Sequence, residues 1–131
     1  MISKDCHLYR VAGILLAGFA VILGAFGAHA LKETLVARES VVVWETAVRY
    51  QMWHALALLI VSVFPQEQGL ARLTGRCLIT GIFLFSGSLY WLALGGPGWL
   101  GPVTPIGGAL LIAGWLLLLV STCKKKKAAT V

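Results

Sequence analysis

Four long apolar runs alternate along the chain with short stretches that hold its charges, prolines and turn residues. Val11 to Ala28 contains 18 residues without a charge and stays uncharged to Leu31. At about 1.5 Å per helical residue, such a run reaches across a hydrocarbon core about 30 Å thick. The second run, Val41 to Phe64, is apolar in its later half but carries Glu45, Arg49, Tyr50 and His54 in its first. Pro65 stops it, because proline and the residue before it both disfavour helix. The third run, Cys77 to Leu94, again has 18 uncharged residues. In the fourth, Thr104 and Pro105 stand as N-cap and first-turn proline of a helix reaching Cys123. The pattern predicts an all-α, integral-membrane four-helix transmembrane bundle, a single domain over residues 1–131. Its expected helices span 11–31, 41–64, 77–94 and 105–123, followed by a basic tail at 124–131.

The connections are short. Lys32 to Ser40 is polar and charge-balanced, with Ser40 as the expected N-cap of the second helix. Gln66 to Gly69 is expected to turn, Leu70 to Arg76 to form a basic approach, and Gly95 to Val103 to form an uncharged Gly/Pro loop. Ala28-His29-Ala30 also resembles a signal-peptide cleavage site. The run before it exceeds the usual core of ~7–15 residues, so the first helix is expected to be retained.

Composition strengthens the membrane reading. The 131 residues are 59% hydrophobic and 12% charged, too few charges to cover a soluble domain of this size. The net charge of +6 is gathered at the ends of apolar runs, which argues against nucleic acid and for anionic lipid. Four spans place Lys4, Arg10, Arg72, Arg76 and Lys124, Lys125, Lys126 and Lys127 on one side, against Lys32 and Arg38 on the other. The positive-inside rule then sets both termini in the cytoplasm. Cys6, Cys77 and Cys123 fall on that reducing side, so neither a disulfide nor a metal motif is expected.

Small residues mark the faces where helices meet. Gly13, Ala17, Ala20, Gly24 and Gly27 form one stripe on the first helix. Gly81, Ser88 and Gly95 repeat every seven residues on the third helix, as do Gly107, Gly114 and Ser121 on the fourth. Stripes of this kind bring membrane helices into close contact.

Candidate chemistry is concentrated in the outer half of the predicted bundle. Helical phase puts Glu45 and Arg49 on one face of the second helix and Tyr50 with His54 on another, His54 lying about 180° from Glu45. Glu45 and Arg49 are an i,i+4 pair suited to an interface, where the arginine can snorkel. Tyr50 and His54 are expected to face the bundle, joined at similar depth by Ser86 and Tyr90, with His29 and Thr104 nearer the surface. This set is the candidate polar site. The favoured reading of His54 is structural, a hydrogen bond to a hydroxyl or carbonyl of a neighbouring helix with the Ser86/Tyr90 pair as a candidate partner, and a proton-relay or ligand-binding role is its rival. No nucleophile with a base, no paired carboxylates, no phosphate loop and no metal-ligand spacing appears, so no cofactor and no catalytic residue is assigned. The four terminal lysines are expected to anchor the chain to anionic headgroups at the cytoplasmic face.

GAFGAHAL (24–31), the Trp44/Tyr50/His54 pattern, FSGSLYWLAL (85–94) and VTPIGGALLIAGW (103–115) resemble the YgdD-type inner-membrane proteins, domain-of-unknown-function family 423. The likeness covers about residues 10 to 120. It implies a four-helix protein of the bacterial cytoplasmic (inner) membrane, implies no reaction, and suggests a role in membrane integrity. The leading expectation is therefore a non-enzymatic membrane-integrity or accessory protein acting through helix and lipid packing, within a larger complex or a homo-oligomer. The rival is a small carrier, channel or lipid- or small-molecule-binding protein with its site around His54.

Overall fold

The computed structural model describes residues 4–63 and 68–128. It contains four long helices: α1 (Lys4–Ala28), α3 (Val41–Val63), α4 (Gln68–Ala93) and α5 (Val103–Ala128). A short helix, α2 (Lys32–Ala37), joins the first two, and a 3-10 turn at Gly98–Leu100 precedes the last. There is no strand among the described residues.

Several boundaries differ from expectation, three of them because charge ends an apolar run without ending a helix. α5 spans Val103–Ala128 rather than 105–123, so the helix continues through the lysines and Thr104 lies inside it rather than capping it, and α1 ends at Ala28 rather than 31. α1 begins at Lys4 rather than 11, with Asp5 in its first turn, where a carboxylate complements the helix dipole. α4 begins at Gln68 rather than 77 and carries Arg72 and Arg76 on its first turns. These extensions meet: Arg72 Nε lies 3.2 Å from Asp5 Oδ2, and the Tyr9 hydroxyl donates to the Arg72 carbonyl at 3.0 Å. Gly75 leaves room for the Tyr9 ring, which occupies the space a side chain there would need. The expected helix stop at Pro65 and the turn beginning at Gln66 fall on 64–67, outside the described residues.

The polar connection after α1 contains α2 and ends in a Schellman turn. Ser40 N donates to Leu35 O at 2.9 Å, and Glu39 N donates to Val36 O at 3.0 Å. Glu39 takes the left-handed position usually given to glycine, with φ 53°. The turn aims Ser40 away from the expected capping role. Its hydroxyl donates instead to the Ala93 carbonyl at 2.8 Å, tying the start of α3 to the last turn of α4.

Each long helix packs antiparallel to the next: α1 on α3, α3 on α4, and α4 on α5. α1 barely touches α4, so α3 and α4 are the inner pair and α1 and α5 the flanks. The small stripes form the seams. A Cβ on Gly13 would sit 2.9 Å from the Ala55 carbonyl oxygen of α3, and the Trp44 indole occupies the space over Gly27. On the other side, the Phe85 backbone lies against Gly107, while Leu111 and Leu78 fill the spaces left by Gly81 and Gly114. One core cluster joins Tyr9, Leu58, Val61, Leu78, Ile82 and Leu111 across all four long helices; a second joins Leu35, Trp44 and Ala93 at the opposite end.

Among the described residues, three stretches are long and apolar enough to cross a membrane: Asp5–Ala28, Gly69–Ala93 and Gly98–Cys123. The first and last are sparsely buried, and large apolar side chains such as Phe19, Val21, Ile112 and Leu116 face outward. A soluble protein does not expose apolar surface on this scale. α3, described as far as Val63, is not among the three, and its first half holds Glu45, Arg49, Gln51 and His54. It is nevertheless well covered: Trp44, Ala47, Gln51, His54, Ala55, Ala57, Leu58, Val61 and Ser62 are all buried.

Candidate functional site

The polar groups of α3 divide by face. On the face toward α1 and α4, Gln51 is 5% exposed and makes two hydrogen bonds. Its Nε2 donates to the Leu16 carbonyl of α1 at 2.9 Å, and its Oε1 accepts from the Tyr90 hydroxyl of α4 at 2.9 Å. A carbonyl can only accept, so this pairing also fixes which way the amide points. Seven residues earlier, Trp44 Nε1 donates to the Leu23 carbonyl at 2.9 Å, and Leu23 is seven residues after Leu16. Trp44 and Gln51 thus grip α1 at two carbonyls two turns apart. The small residues of α1 bring α3 close enough for both to reach. The Tyr90 ring meets Trp44 edge-on, with centroids 4.8 Å apart.

Gln51 is the central residue that sequence reasoning missed. Titratable groups drew the eye, and a neutral amide does not titrate. Its signal was the sevenfold spacing of Trp44, Gln51 and Leu58, all buried on the same face.

The predicted polar residues resolve into separate partnerships. His54 is 6% exposed, and its Nδ1 lies 2.7 Å from the Tyr50 carbonyl of its own helix. Because that oxygen must accept, the neutral ring carries its proton on Nδ1 and keeps a lone pair on Nε2. His54 stacks beside Tyr50 and lies edge-on to Trp115 of α5, at 5.9 and 6.1 Å between centroids. Tyr50 is half-buried, its ring tilted over Phe85 at 4.6 Å. Neither Ser86 nor Tyr90 is the His54 partner, since Tyr90 is held by Gln51. Ser86 is buried on α4, and its hydroxyl has no hydrogen-bond partner; buried Thr74 is in the same condition. Thr104 bonds Ser88 hydroxyl to hydroxyl at 2.7 Å, and Ser88 in turn donates to the Phe85 carbonyl at 2.9 Å. His29 lies exposed in the turn after α1.

On the opposite face of α3, Glu45 and Arg49 form the expected pair, 3.3 Å apart and more than half exposed. They stand on the rim of a groove of about 580 Å³ between the last turns of α1, helix α2 and the first turns of α3. Lys32 is the third charged residue there, and Gly24, Gly27, Val36, Trp44 and Val48 are among its apolar walls. His54, Ser86, Tyr90 and Thr104 do not line it. No group of three or more His, Cys, Asp or Glu residues that could hold a metal occurs among the described residues. The backbone of α5 runs through Lys124–Lys127, but their side chains, and with them the anchor expectation, lie outside the described residues.

Among the described residues, an all-helical structure with three membrane-length apolar helices and an outward apolar surface defines a membrane protein. Residues 23–108 match the family described as "Protein of unknown function (DUF423)", and the chain belongs to that family. It is 46% identical to a UPF0382 membrane protein of Staphylococcus haemolyticus over 118 residues, covering 89% of this chain and 96% of that one. It is 39% identical to the UPF0382 membrane protein YwdK of Bacillus subtilis, covering 89% and 97%. A UPF0382 membrane protein of Schizosaccharomyces pombe is 42% identical, covering 87% and 97%. No solved structure matches the chain.

Proposed function

We propose that the chain crosses the membrane four times and works without catalysis, as a membrane-integrity or accessory protein acting through helix and lipid packing. The observation that carries this reading is how the polar groups of α3 are used. Gln51 and Trp44, with Tyr90 opposite, bind neighbouring helices rather than converge on a shared cavity. A helix too polar to face lipid is screened by α1 and α4, which supports its place as a fourth span. The basic residues at the end where α1 starts, Lys4, Arg10, Arg72, Arg76 and Lys124–Lys127, outnumber Lys32, Arg38 and Arg49 at the other end. Both termini then lie in the cytoplasm of a bacterial cell, and His29, Glu45 and Thr104 lie toward the outer face. In this reading the terminal lysines anchor the inner face to anionic lipid, and the protein acts as a homo-oligomer or within a larger assembly.

The test is a native-membrane pull-down with subunits and bound lipid identified by mass spectrometry. Reproducible partners or a defined oligomer support the reading; a purified monomer that turns over a substrate overturns it.

A second reading, a small carrier, channel or ligand site centred on His54, draws on the free lone pair of His54 Nε2 and the unpartnered Ser86 hydroxyl. It predicts that a cysteine replacing His54 reacts with a membrane-impermeant maleimide from the outer face. Failure to react removes it.

A further inference from the structure

We propose that the groove between α1, α2 and α3 is a binding site for one anionic glycerophospholipid, its phosphodiester held at Lys32 and Arg49. This rests on the four-span reading, which puts the groove at the outer-leaflet interface. Its volume, about 580 Å³, falls within the range of ~300–1,000 Å³ typical of sites that enclose a small organic ligand. The lining is amphipathic in the manner of a lipid: charged groups at the rim and glycine, valine and tryptophan surfaces below. Gly24 and Gly27 let Val48 and Trp44 seat close against α1 to form its apolar floor, and Val36, 57% exposed, continues the apolar wall outward.

Charge selects the headgroup. Glu45 neutralises one of the two cations, leaving a net single positive charge that one phosphodiester balances. Arg49 uses Nε toward the Glu45 carbonyl and Nη2 toward its carboxylate, two of the five N–H donors a guanidinium has. The rest can fork onto phosphate oxygens, a geometry well suited to arginine. Among the described residues the Lys32 ammonium makes no ion pair. A lipid with one net negative charge, such as phosphatidylglycerol, satisfies this arrangement; zwitterionic phosphatidylethanolamine leaves the extra positive charge unmatched. The groove lies at the opposite end of the bundle from Lys124–Lys127, so it is separate from any attraction by the basic tail.

The full chain, reconstituted in nanodiscs of equal phosphatidylglycerol and phosphatidylethanolamine and released into native mass spectrometry, gives the test. One phosphatidylglycerol per chain should be retained in preference to phosphatidylethanolamine. Lys32→Gln should reduce that retention about tenfold, equivalent to about 1.4 kcal/mol. Val36→Trp, which crowds the groove from an exposed position, should lower it as well. Replacing Lys124–Lys127 with glutamine should leave it unchanged. Equal retention of the two lipids, retention unaffected by Lys32→Gln and Val36→Trp, equal loss in the tail variant, or a second copy of the chain in place of lipid would each overturn the proposal. The four-span reading is checked separately in the same discs. A cysteine at Gly69 and one at Thr34 must react from opposite faces, so failure of the topology is distinguished from failure of the site.

Discussion

The side-chain amide of Gln51 donates to the backbone carbonyl of Leu16 across the α1–α3 seam while its oxygen accepts from Tyr90 of α4. One neutral residue therefore joins three helices. Gln51→Leu keeps the bulk but strands the Tyr90 hydroxyl in the interior, and a buried donor without a partner costs about 1–3 kcal/mol. Unfolding by steric trapping in bicelles should show a loss of that size. In a double-mutant cycle, Tyr90→Phe should recover part of it, with a coupling of about 0.6–1.7 kcal/mol. Zero coupling would mean the two side chains do not meet.

The glycines divide into those that seat a neighbour and those that face open space. Gly107→Ala drives a methyl into the backbone of Phe85, which cannot rotate away, and should cost about 1–3 kcal/mol. Gly18→Ala meets no atom within 4 Å and should be neutral or stabilising by up to about 1 kcal/mol, through helix propensity alone. Thermal melts of the two variants in one detergent check both. Equal melting shifts would contradict the α4–α5 packing.

Thr74 and Ser86 bury hydroxyls without partners. Thr74→Val and Ser86→Ala should therefore leave stability unchanged or raise it by about 1 kcal/mol, where most buried substitutions lower it. A loss at Ser86 would instead point to a bound molecule or water at that hydroxyl and favour the ligand-site reading.

Glu39 holds a left-handed conformation at φ 53° that glycine adopts without strain. Glu39→Gly should stabilise the α2–α3 corner by about 0.5–1 kcal/mol, read as a rise in melting temperature. A fall would show that the Glu39 side chain has work of its own.

Much of the fold was visible in the apolar pattern. The stripe Gly13–Gly27 does face α3, and Gly81, Gly107 and Gly114 do lie in the α4–α5 seam, whereas Gly95 falls past the end of α4 and lies against Arg38. Glu45 and Arg49 do lie on an exposed face, opposite buried His54. What escaped was physics that hydropathy does not record. Arg72 and Asp5 look like interfacial charges in the sequence, but α1 and α4 extend through them and join there. Ser40 has the residue type of an N-cap, yet the Schellman turn at Glu39 points its hydroxyl at Ala93. Gln51 and Ser88 matter through interhelical bonds, and one sequence does not reveal which residue waits on the next helix.

The carbonyls of Leu16 and Leu23 also bear on how the protein is made. α3 is the segment least able to enter a bilayer on its own apolarity, and α1 leaves the ribosome before it. With α1 already in place, two acceptors and a lane of small side chains await Gln51 and Trp44 as α3 emerges. In the four-span reading proposed above, insertion of the polar helix depends on its predecessor, so a lesion in α1 such as Gly13→Leu is expected to appear first as α3 stranded outside the membrane rather than as a loosened finished bundle.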